Sequence, residues 1–410
     1  MGGVTAITNG RLLDCVGDEP IEDASVVFED GIIKDVFTGR ESVPSKAEII
    51  DASGGTIMPG LIEGHMHIAF SHLDLDGHLS QPPIVTAAWM IKNCRRLLHS
   101  GFTTVCDGGL ANRGLKNAIE QGLIEGPRLH ICNTWLTATG GHLDRLKGLI
   151  ATETGILENG LCSLPRIVDG RDDATKAARE QFHAGADYIK ITATAQAPRV
   201  SPEFTEEEIR AFVAAARDQG RFVHAHVQGI EGAKRAIRCG VKVLVHLFQV
   251  DDELIQLLKE HDVYCVPTLG MFVGAFFEKA NEIDWTPKRR AQLPEIAAAV
   301  PEVLESTRKL IQAGCTIGSG SDCIAGIPLE AWEIELKCRC GMSPYDAIKS
   351  STVVNSEIIQ MSDFVGSVEV GKSADLIVVS GNPDEVPAVI ADASNVKIVI
   401  KGGEVKKRIV

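Results

Sequence analysis

Residues 56–68, with the sequence TIMPGLIEGHMHI, form a short apolar run that ends in two histidines, His65 and His67. Residues i and i+2 of a β-strand point to the same face, so a strand here would hold the two imidazoles side by side. Histidine is the commonest nitrogen ligand for divalent metals such as zinc. The stretch therefore predicts half of a metal site at the end of a strand, and other parts of the chain must supply the remaining ligands.

The size and charge of the chain exclude several classes of protein. Its 410 residues allow two or three average domains, or one large barrel with an appendage. The formal charge of −14 argues against a nucleic-acid partner. No apolar run approaches the ~18 residues of a membrane span, and the N-terminus lacks the basic and apolar regions of a signal peptide. Eleven cysteines without a CxxC pair indicate reduced thiols. We therefore expect a cytoplasmic protein with no membrane or nucleic-acid partner.

Both ends of the chain show short β-strand patterns separated by turn signals, whereas the middle alternates apolar runs with amphipathic stretches. Neither end is large enough for a good core, so we expect residues 1–56 and 362–410 to form one composite β-sandwich domain. Between them, residues 57–361 hold eight apolar runs, and the helical stretches between the runs often stop at glycine. Eight β–α units over ~300 residues predict a (β/α)8 TIM barrel of the α/β class. The alternative is a doubly wound open sheet, although no GxGxxG motif follows an early strand.

Functional side chains of such a barrel gather at the carboxyl ends of its strands. Five of the eight runs carry an ionisable or metal-ligating residue at that end. These residues are His65 and His67 in the first run, Lys190 in the fourth, His224 and His226 in the fifth, His246 in the sixth and Asp322 in the eighth. Each has an ordinary structural explanation alone, but together they predict one metal site.

These motifs together resemble the amidohydrolase superfamily, and most closely its dinuclear branch with a carboxylated lysine. The resemblance covers nearly the whole chain and rests on PGLIEGHMHI at 59–68, Lys190, HAH at 224–226, His246 and GSGSD at 318–322. It implies that His65, His67 and Asp322 bind the more buried metal ion. It also implies that Lys190 bridges both ions, and that His224 and His246 bind the second. Strand parity turns both His224 and His226 inward; the family pattern favours His224 and leaves His226 near the second metal or the substrate.

The chemistry of lysine agrees with this implied role. An ammonium group cannot ligate a cation, whereas a carbamate formed with carbon dioxide is an anion whose two oxygens can span metals ~3.5–4 Å apart. A histidine-rich set with few oxygen ligands favours two Zn²⁺ ions. The resemblance implies hydrolysis of an amide by a hydroxide shared between the two zinc ions. Asp322 would take the proton of that hydroxide and pass it to the leaving nitrogen.

The substrate implied by the resemblance is a small amide or dipeptide, as in the prolidase-like and Xaa-Arg dipeptidase subgroup. This resemblance rests on the segment TATGGH at 137–142, which would place His142 over the mouth of the barrel. We expect His226 and Gln228 beside the substrate as well. Arg199 could pair with a substrate carboxylate, or be a solvated surface arginine.

The chain departs from that subgroup at three places around the expected substrate pocket. ATAQ stands at 193–196 in place of ATGG, Val245 precedes His246 in place of glutamate, and Gln228 lies where relatives often place a tyrosine. Three functions therefore stay open. The first is a dipeptidase, carboxypeptidase or N-acyl-amino-acid hydrolase, and the second is an imidazolonepropionase-like hydrolase of cyclic or non-peptide amides. The third is a non-catalytic scaffold, which the complete ligand set disfavours. A homo-oligomer is compatible with the resemblance.

Overall fold

The computed structural model describes residues 3–144, 165–195 and 200–409 of the chain. The N-terminal segment consists of short strands, as its alternating pattern predicts. They are β1 (Thr5–Leu12), β2 (Ile21–Glu29), β3 (Ile32–Thr38), β4 (Glu48–Asp51) and β5 (Thr56–Pro59). Strands β1, β2 and β3 form an antiparallel meander, and β1 also pairs in parallel with β4 and β5.

The central segment contributes the parallel strands of the barrel. They are β6 (Leu61–Met66), β7 (Phe102–Asp107), β8 (Arg128–Ile131), β9 (Trp135–Thr137), β10 (Arg166–Ile167), β11 (Ile189–Thr192), β12 (Val223–Val227), β13 (Val243–His246) and β14 (Tyr264–Val266). Strands β6, β7 and β8 pair in that order, and β9, β11, β12, β13 and β14 form the rest of the wall, with β10 beside β9. The third predicted run, 128–134, contains β8, and β9 follows directly after it.

The eighth predicted run, residues 315–322, lies between the last and the first strands of the wall. The Cys265 N–H donates to the Thr316 carbonyl at 2.9 Å, and the Asp322 N–H donates to the His65 carbonyl at 2.7 Å. The Gly64 N–H donates to the Ser319 carbonyl between these two points, at 2.8 Å. These bonds join β14 to β6 through the eighth segment and complete the ring of eight.

Helices separate the barrel strands, as expected for β–α units, and further helices follow the eighth segment. They are α1 (Leu75–Leu79), α2 (Pro83–His99), α3 (Arg113–Glu120), α4 (Arg171–His183), α5 (Glu206–Asp218), α6 (Ile230–Arg238), α7 (Asp252–Glu260), a π-helix (Gly270–Glu278), α8 (Pro287–Gln312), α9 (Trp332–Arg339), α10 (Pro344–Ser350), α11 (Val353–Ile358) and α12 (Ala388–Ala391). A capping box of Thr205 and Glu208 starts α5. None of the helices in these ranges is long and apolar enough to cross a membrane.

The C-terminal segment returns to the N-terminal strands. It contributes β15 (Leu376–Val379), β16 (Val396–Lys401) and β17 (Glu404–Arg408), and β15 pairs with β5 in antiparallel register. Both ends of the chain therefore share one eight-stranded sheet and one apolar core, in which Ile7 and Phe28 pack with Leu376 and Ile398. The mixed α/β architecture with a β-rich terminal domain is confirmed.

The chain passes from the terminal sheet into the barrel at Gly60. Its N–H donates to the Asp375 carbonyl at 2.9 Å, whereas the next N–H, of Leu61, donates to Gly101 on the barrel side at 2.9 Å. A Cβ atom at Gly60 would lie 2.2 Å from the Thr103 hydroxyl, so the close approach requires glycine. One continuous run thus serves both domains, because β5 ends and β6 begins around this residue.

Candidate metal and active site

A cavity opens among the strand ends that carry the predicted residues. Its empty space is about 830 Å³ including the mouth, which admits a small molecule and excludes a folded chain. Polar side chains line one part of it: His65, His67, His142, Lys190, Thr192, His226, Gln228, His246 and Asp322. Other parts are apolar, with Phe70, Leu75, Trp135, Leu143, Met271, Phe272, Phe276 and Ile324, and the charged Asp74 and Arg289 also reach it.

His65, His67 and Asp322 form a compact group in the cavity. One ligand atom from each can be chosen so that all lie within 4.8 Å of one another. Nε2 of His67 lies 3.2 Å from Oδ1 of Asp322, and Nε2 of His65 lies 3.5 Å from the same oxygen. Nδ1 of His67 is 3.2 Å from the Gly109 carbonyl. If Nδ1 donates its proton to that carbonyl, Nε2 keeps a lone pair for a metal ion.

Lys190 lies in the same cavity and is 2% exposed. Its Nζ has no hydrogen-bond partner within the described residues. Burial lowers the pKa of Lys190 to about 8, so the neutral amine is accessible. A buried amine without a protein partner is the state from which a carbamate would form.

The second histidine pair is His226 with His246. Their ring centroids are 4.5 Å apart, and both rings line the cavity. Nδ1 of His246 lies 2.8 Å from the Thr268 hydroxyl, which leaves Nε2 for the cavity. Nε2 of His226 has no hydrogen-bond partner in the part of the chain that the structure describes.

His224 is placed differently from the expectation that made it the ligand beside His246. It pairs with Lys190 in the β11–β12 register, one inward-facing position deeper than His226, which pairs with Thr192. Its ring packs 4.1 Å from the Tyr188 ring and does not line the cavity. The geometry therefore brings His226, and not the expected His224, to the cavity. Both ring nitrogens of His224 are also buried without a hydrogen-bond partner among the described residues, so which of the two binds metal stays a prediction.

The residues expected around the substrate are only partly brought together. His142 stacks on His226 with centroids 4.5 Å apart, and Gln228 lines the cavity with its backbone N–H donating to the Thr194 hydroxyl at 2.9 Å. Arg199, the expected carboxylate partner, lies outside the described residues. His142 and Gln228 thus line the same cavity as the histidine and lysine ligand candidates.

Glu203 holds the loop that carries His142, and the sequence analysis did not identify it. Its carboxylate accepts hydrogen bonds from the His142 N–H, from the Thr137 hydroxyl at 3.0 Å and from the Thr192 hydroxyl at 2.5 Å. Burial raises the pKa of Glu203 above its usual value. No pattern marks this glutamate in the sequence, because it lies in a loop between β11 and α5.

Glu63 was also missed, although its position carried a signal. It has the same strand parity as His65 and His67 and is 1% exposed. One carboxylate oxygen accepts from the His65 N–H and from the Ser321 N–H, both at 2.9 Å. Glu63 therefore holds β6 and the eighth segment together next to His65, His67 and Asp322.

The donor set fits divalent metal ions. Burial lowers the pKa of His65 to about 3 and holds the pKa of His226 and His246 well below the usual value, so their imidazoles are neutral and keep lone pairs. Burial raises the pKa of Asp322, but its interactions with His65, His67 and His246 outweigh this effect and hold that pKa well below its usual value. Neutral imidazoles around one carboxylate are the ligands that zinc prefers.

Comparison with known proteins gives consistent matches over nearly the whole chain. The amidohydrolase family matches residues 56–406. Ochratoxinase of Aspergillus niger is 30% identical, over 98% of this chain and 87% of that protein. A prolidase crystallised with N-methylphosphonate-L-proline is 31% identical, with a TM-score of 0.91 over 99% of this chain and 100% of that chain. Imidazolonepropionase of Symbiobacterium thermophilum is 25% identical, over 92% of this chain and 84% of that protein.

Proposed function

The chain belongs to the amidohydrolase family and is a hydrolase of C–N bonds, and from this we propose that it is a metal-dependent dipeptidase or N-acyl-amino-acid hydrolase. The observation that carries the proposal is the meeting of neutral histidines, a buried lysine and a carboxylate around one cavity. Likeness to a prolidase and to ochratoxinase supports this substrate class over others. The complete set of ligand candidates argues against a non-catalytic scaffold.

We propose two ions, and zinc as their identity, since the donors are mostly imidazoles. His65, His67 and Asp322 would hold one ion, His226 and His246 the other, and Lys190 as a carbamate would join them. When bound, such ions polarise an amide carbonyl and lower the pKa of water. A cytoplasmic location and a homo-oligomeric assembly stay predictions from the sequence.

The chain's own residues divide the remaining work. Asp322, whose Oδ1 lies beside Nε2 of His65 and of His67, would accept a proton from the attacking water and deliver it to the leaving nitrogen. His142 and Gln228 are placed to orient the substrate, and the apolar walls exclude bulk water from the reaction.

Substitution of Asp322 by asparagine tests the proton transfer. Asp322→Asn keeps one ligand oxygen but cannot accept the proton, so we expect much of the metal to stay and kcat to fall by about 100-fold or more. Metal analysis and steady-state kinetics measure the two quantities on the same sample. Unchanged kcat at wild-type metal content would remove Asp322 from this role.

Hydrolysis of a substrate library decides between the two amide classes. Dipeptides and N-acyl amino acids are compared with lactams and cyclic imides on the metal-loaded protein. We expect turnover in the first group. Turnover confined to the second group would favour the imidazolonepropionase-like alternative. The similarity to imidazolonepropionase supports keeping this alternative.

A further inference from the structure

A row of aromatic rings leads along the cavity from the second histidine pair to a guanidinium group. The His246 ring lies 5.8 Å from the Phe272 ring, and the Phe272 ring lies 5.7 Å from the Phe276 ring. The Arg289 guanidinium lies over the face of Phe276, 5.2 Å from its centroid. All four side chains line the cavity. The row therefore forms an apolar wall between His246, at the proposed metal site, and the positively charged Arg289.

Arg289 is held in position by the start of α8. Its backbone N–H donates to the Thr286 hydroxyl at 3.3 Å, which caps the helix, and its Nη1 donates to Gln292 at 3.2 Å. The neighbouring Lys288 pairs with Asp76 of α1 at 2.7 Å and ties this turn to the opposite helix. A guanidinium over an aromatic face is held by cation–π attraction, and its N–H groups lie in its own plane, where they can bind a carboxylate.

Among the described residues that line this part of the cavity, the other charged side chain is Asp74, and it has a structural role. Its carboxylate accepts the Gly77 N–H at 2.7 Å and so caps α1. Hydrogen bonds from Gly77 and Thr286 lower its pKa despite partial burial, so it is ionised. An ionised, capping carboxylate repels a second anion, which directs an anionic substrate group to Arg289.

We propose that Arg289 binds a carboxylate of the substrate, and that the substrate is an amide bearing this carboxylate on a large apolar group. The apolar group would lie against Phe272 and Phe276 while the scissile amide faces the histidines. Arginine binds carboxylates through two parallel hydrogen bonds, which gives both charge and orientation. The proposal rests on the proposed function and assigns to Arg289 the part that the sequence suggested for Arg199.

A pair of matched compounds tests the assignment on the metal-loaded protein. N-acetylphenylalanine carries the carboxylate, and N-acetylphenethylamine is the same amide without it. In Arg289→Met the methionine keeps the contact with Phe276 and removes the charge. We expect kcat/KM for N-acetylphenylalanine to fall by about 10- to 100-fold, and that for N-acetylphenethylamine to change by less than about twofold.

Arg290→Met is the matched control, because this neighbouring arginine is 58% exposed and pairs with Asp284 at the surface. It should leave both compounds unaffected. An equal loss on both compounds in Arg289→Met, or no loss on either, would overturn the assignment. Equal wild-type rates on the two compounds would overturn the role of Arg289 alone. Failure of the wild type on both, with metal bound, would overturn the proposed function and this assignment together.

Discussion

At the scale of single residues, the site is defined by atoms that lack a protein partner. Lys190 Nζ and His226 Nε2 are buried, and the described residues offer neither of them a hydrogen bond. Such atoms cost stability unless something else satisfies them. Metal ions and a carbamate would satisfy both at once.

Replacing Lys190 by alanine tests the carbamate. Lys190→Ala removes the proposed bridging anion. We therefore expect the variant to bind fewer metal ions than the wild type, for which we expect about two, and its kcat to fall by about 100-fold or more. Acetate fits the space left by the side chain and supplies two oxygens, so added acetate should restore part of both quantities. Metal analysis and kinetics with increasing acetate are the measurements. The control Lys176→Ala removes a lysine that is 71% exposed and should be neutral.

No response to acetate, at wild-type metal content, would mean that Lys190 has no ligand role. The sequence could identify this lysine because a charge inside an apolar strand is unusual. It could not show the state of the amine, which depends on burial by neighbours far along the chain.

Substitution of Glu203 tests whether this residue positions the loop that carries His142. Glu203→Gln replaces one acceptor oxygen by a donor, so the bond from the His142 N–H or one threonine bond must be lost. We expect KM to rise about tenfold with kcat nearly unchanged, because His142 would bind substrate without reacting. The exposed Glu207→Gln is the control. A fall in kcat and thermal stability at constant KM would instead indicate a structural role.

At the scale of elements, the register of neighbouring strands decides which histidine reaches the cavity. Strand parity makes His224 and His226 equivalent, and a single sequence contains nothing that separates them. The β11–β12 register sets His224 level with Lys190 and His226 level with Thr192. Lys190 lines the cavity from this level, whereas His224 does not.

The comparison of His226→Asn with His224→Asn follows from that register. His226→Asn should lose about one metal ion per chain and most activity, because it removes a proposed metal ligand. His224→Asn should keep the metal and lower thermal stability, since the ring packs on Tyr188 within the core. Metal analysis and thermal unfolding of the two variants separate these outcomes. Loss of metal in His224→Asn alone would restore the original assignment.

Backbone strain at His246 and Asp322 could also not be predicted from the sequence. His246 has φ 86° and Asp322 has φ 57°, values that favour glycine. Such conformations cost on the order of 1–3 kcal/mol each and persist where function requires a particular side-chain direction. The strand ends were predictable from periodicity, but the turn that aims each ligand depends on the loops beyond.

At the scale of the whole molecule, a largely buried ion pair joins the barrel to the terminal sheet. Arg128 at the start of β8 contacts Asp375 beside β15 at 2.7 Å, and Asp375 is 3% exposed on its side chain. Burial raises the pKa of Asp375, but Arg128, Ser373 and the Gly402 N–H outweigh it and give a net lowering. The charge of Asp375 is therefore kept only because these partners are present.

Arg128→Met should lower the free energy of unfolding by about 3 kcal/mol near neutral pH, because it leaves a buried carboxylate without its cation. The lowered pKa of Asp375 stabilises the wild type above the unfolded value of about 3.9, and this contribution is lost as the pH falls through the folded value. In the variant, Asp375 takes up a proton at higher pH, so the difference between the proteins should shrink from about pH 7 to about pH 4.5.

Urea unfolding at both pH values measures this difference. Arg210→Met is the control, since the Arg210–Glu206 pair is about half exposed and should contribute less than about 0.5 kcal/mol. A difference that stays constant between the two pH values would show that Arg128 acts by packing and not by charge. The sequence predicted that both ends form one domain, but it could not identify this pair, because nothing local links residue 128 to residue 375.

The pairing of β5 with β15 has a consequence for the order of events during biosynthesis. The segment that carries His65 and His67 leaves the ribosome long before Leu376–Val379, and β5, which precedes it, can at that stage pair only with β1. The second partner of β5 and the bond from the Gly60 N–H to the Asp375 carbonyl form only when β15 has been made. Full support of the first pair of imidazoles therefore waits for a strand synthesised long after them.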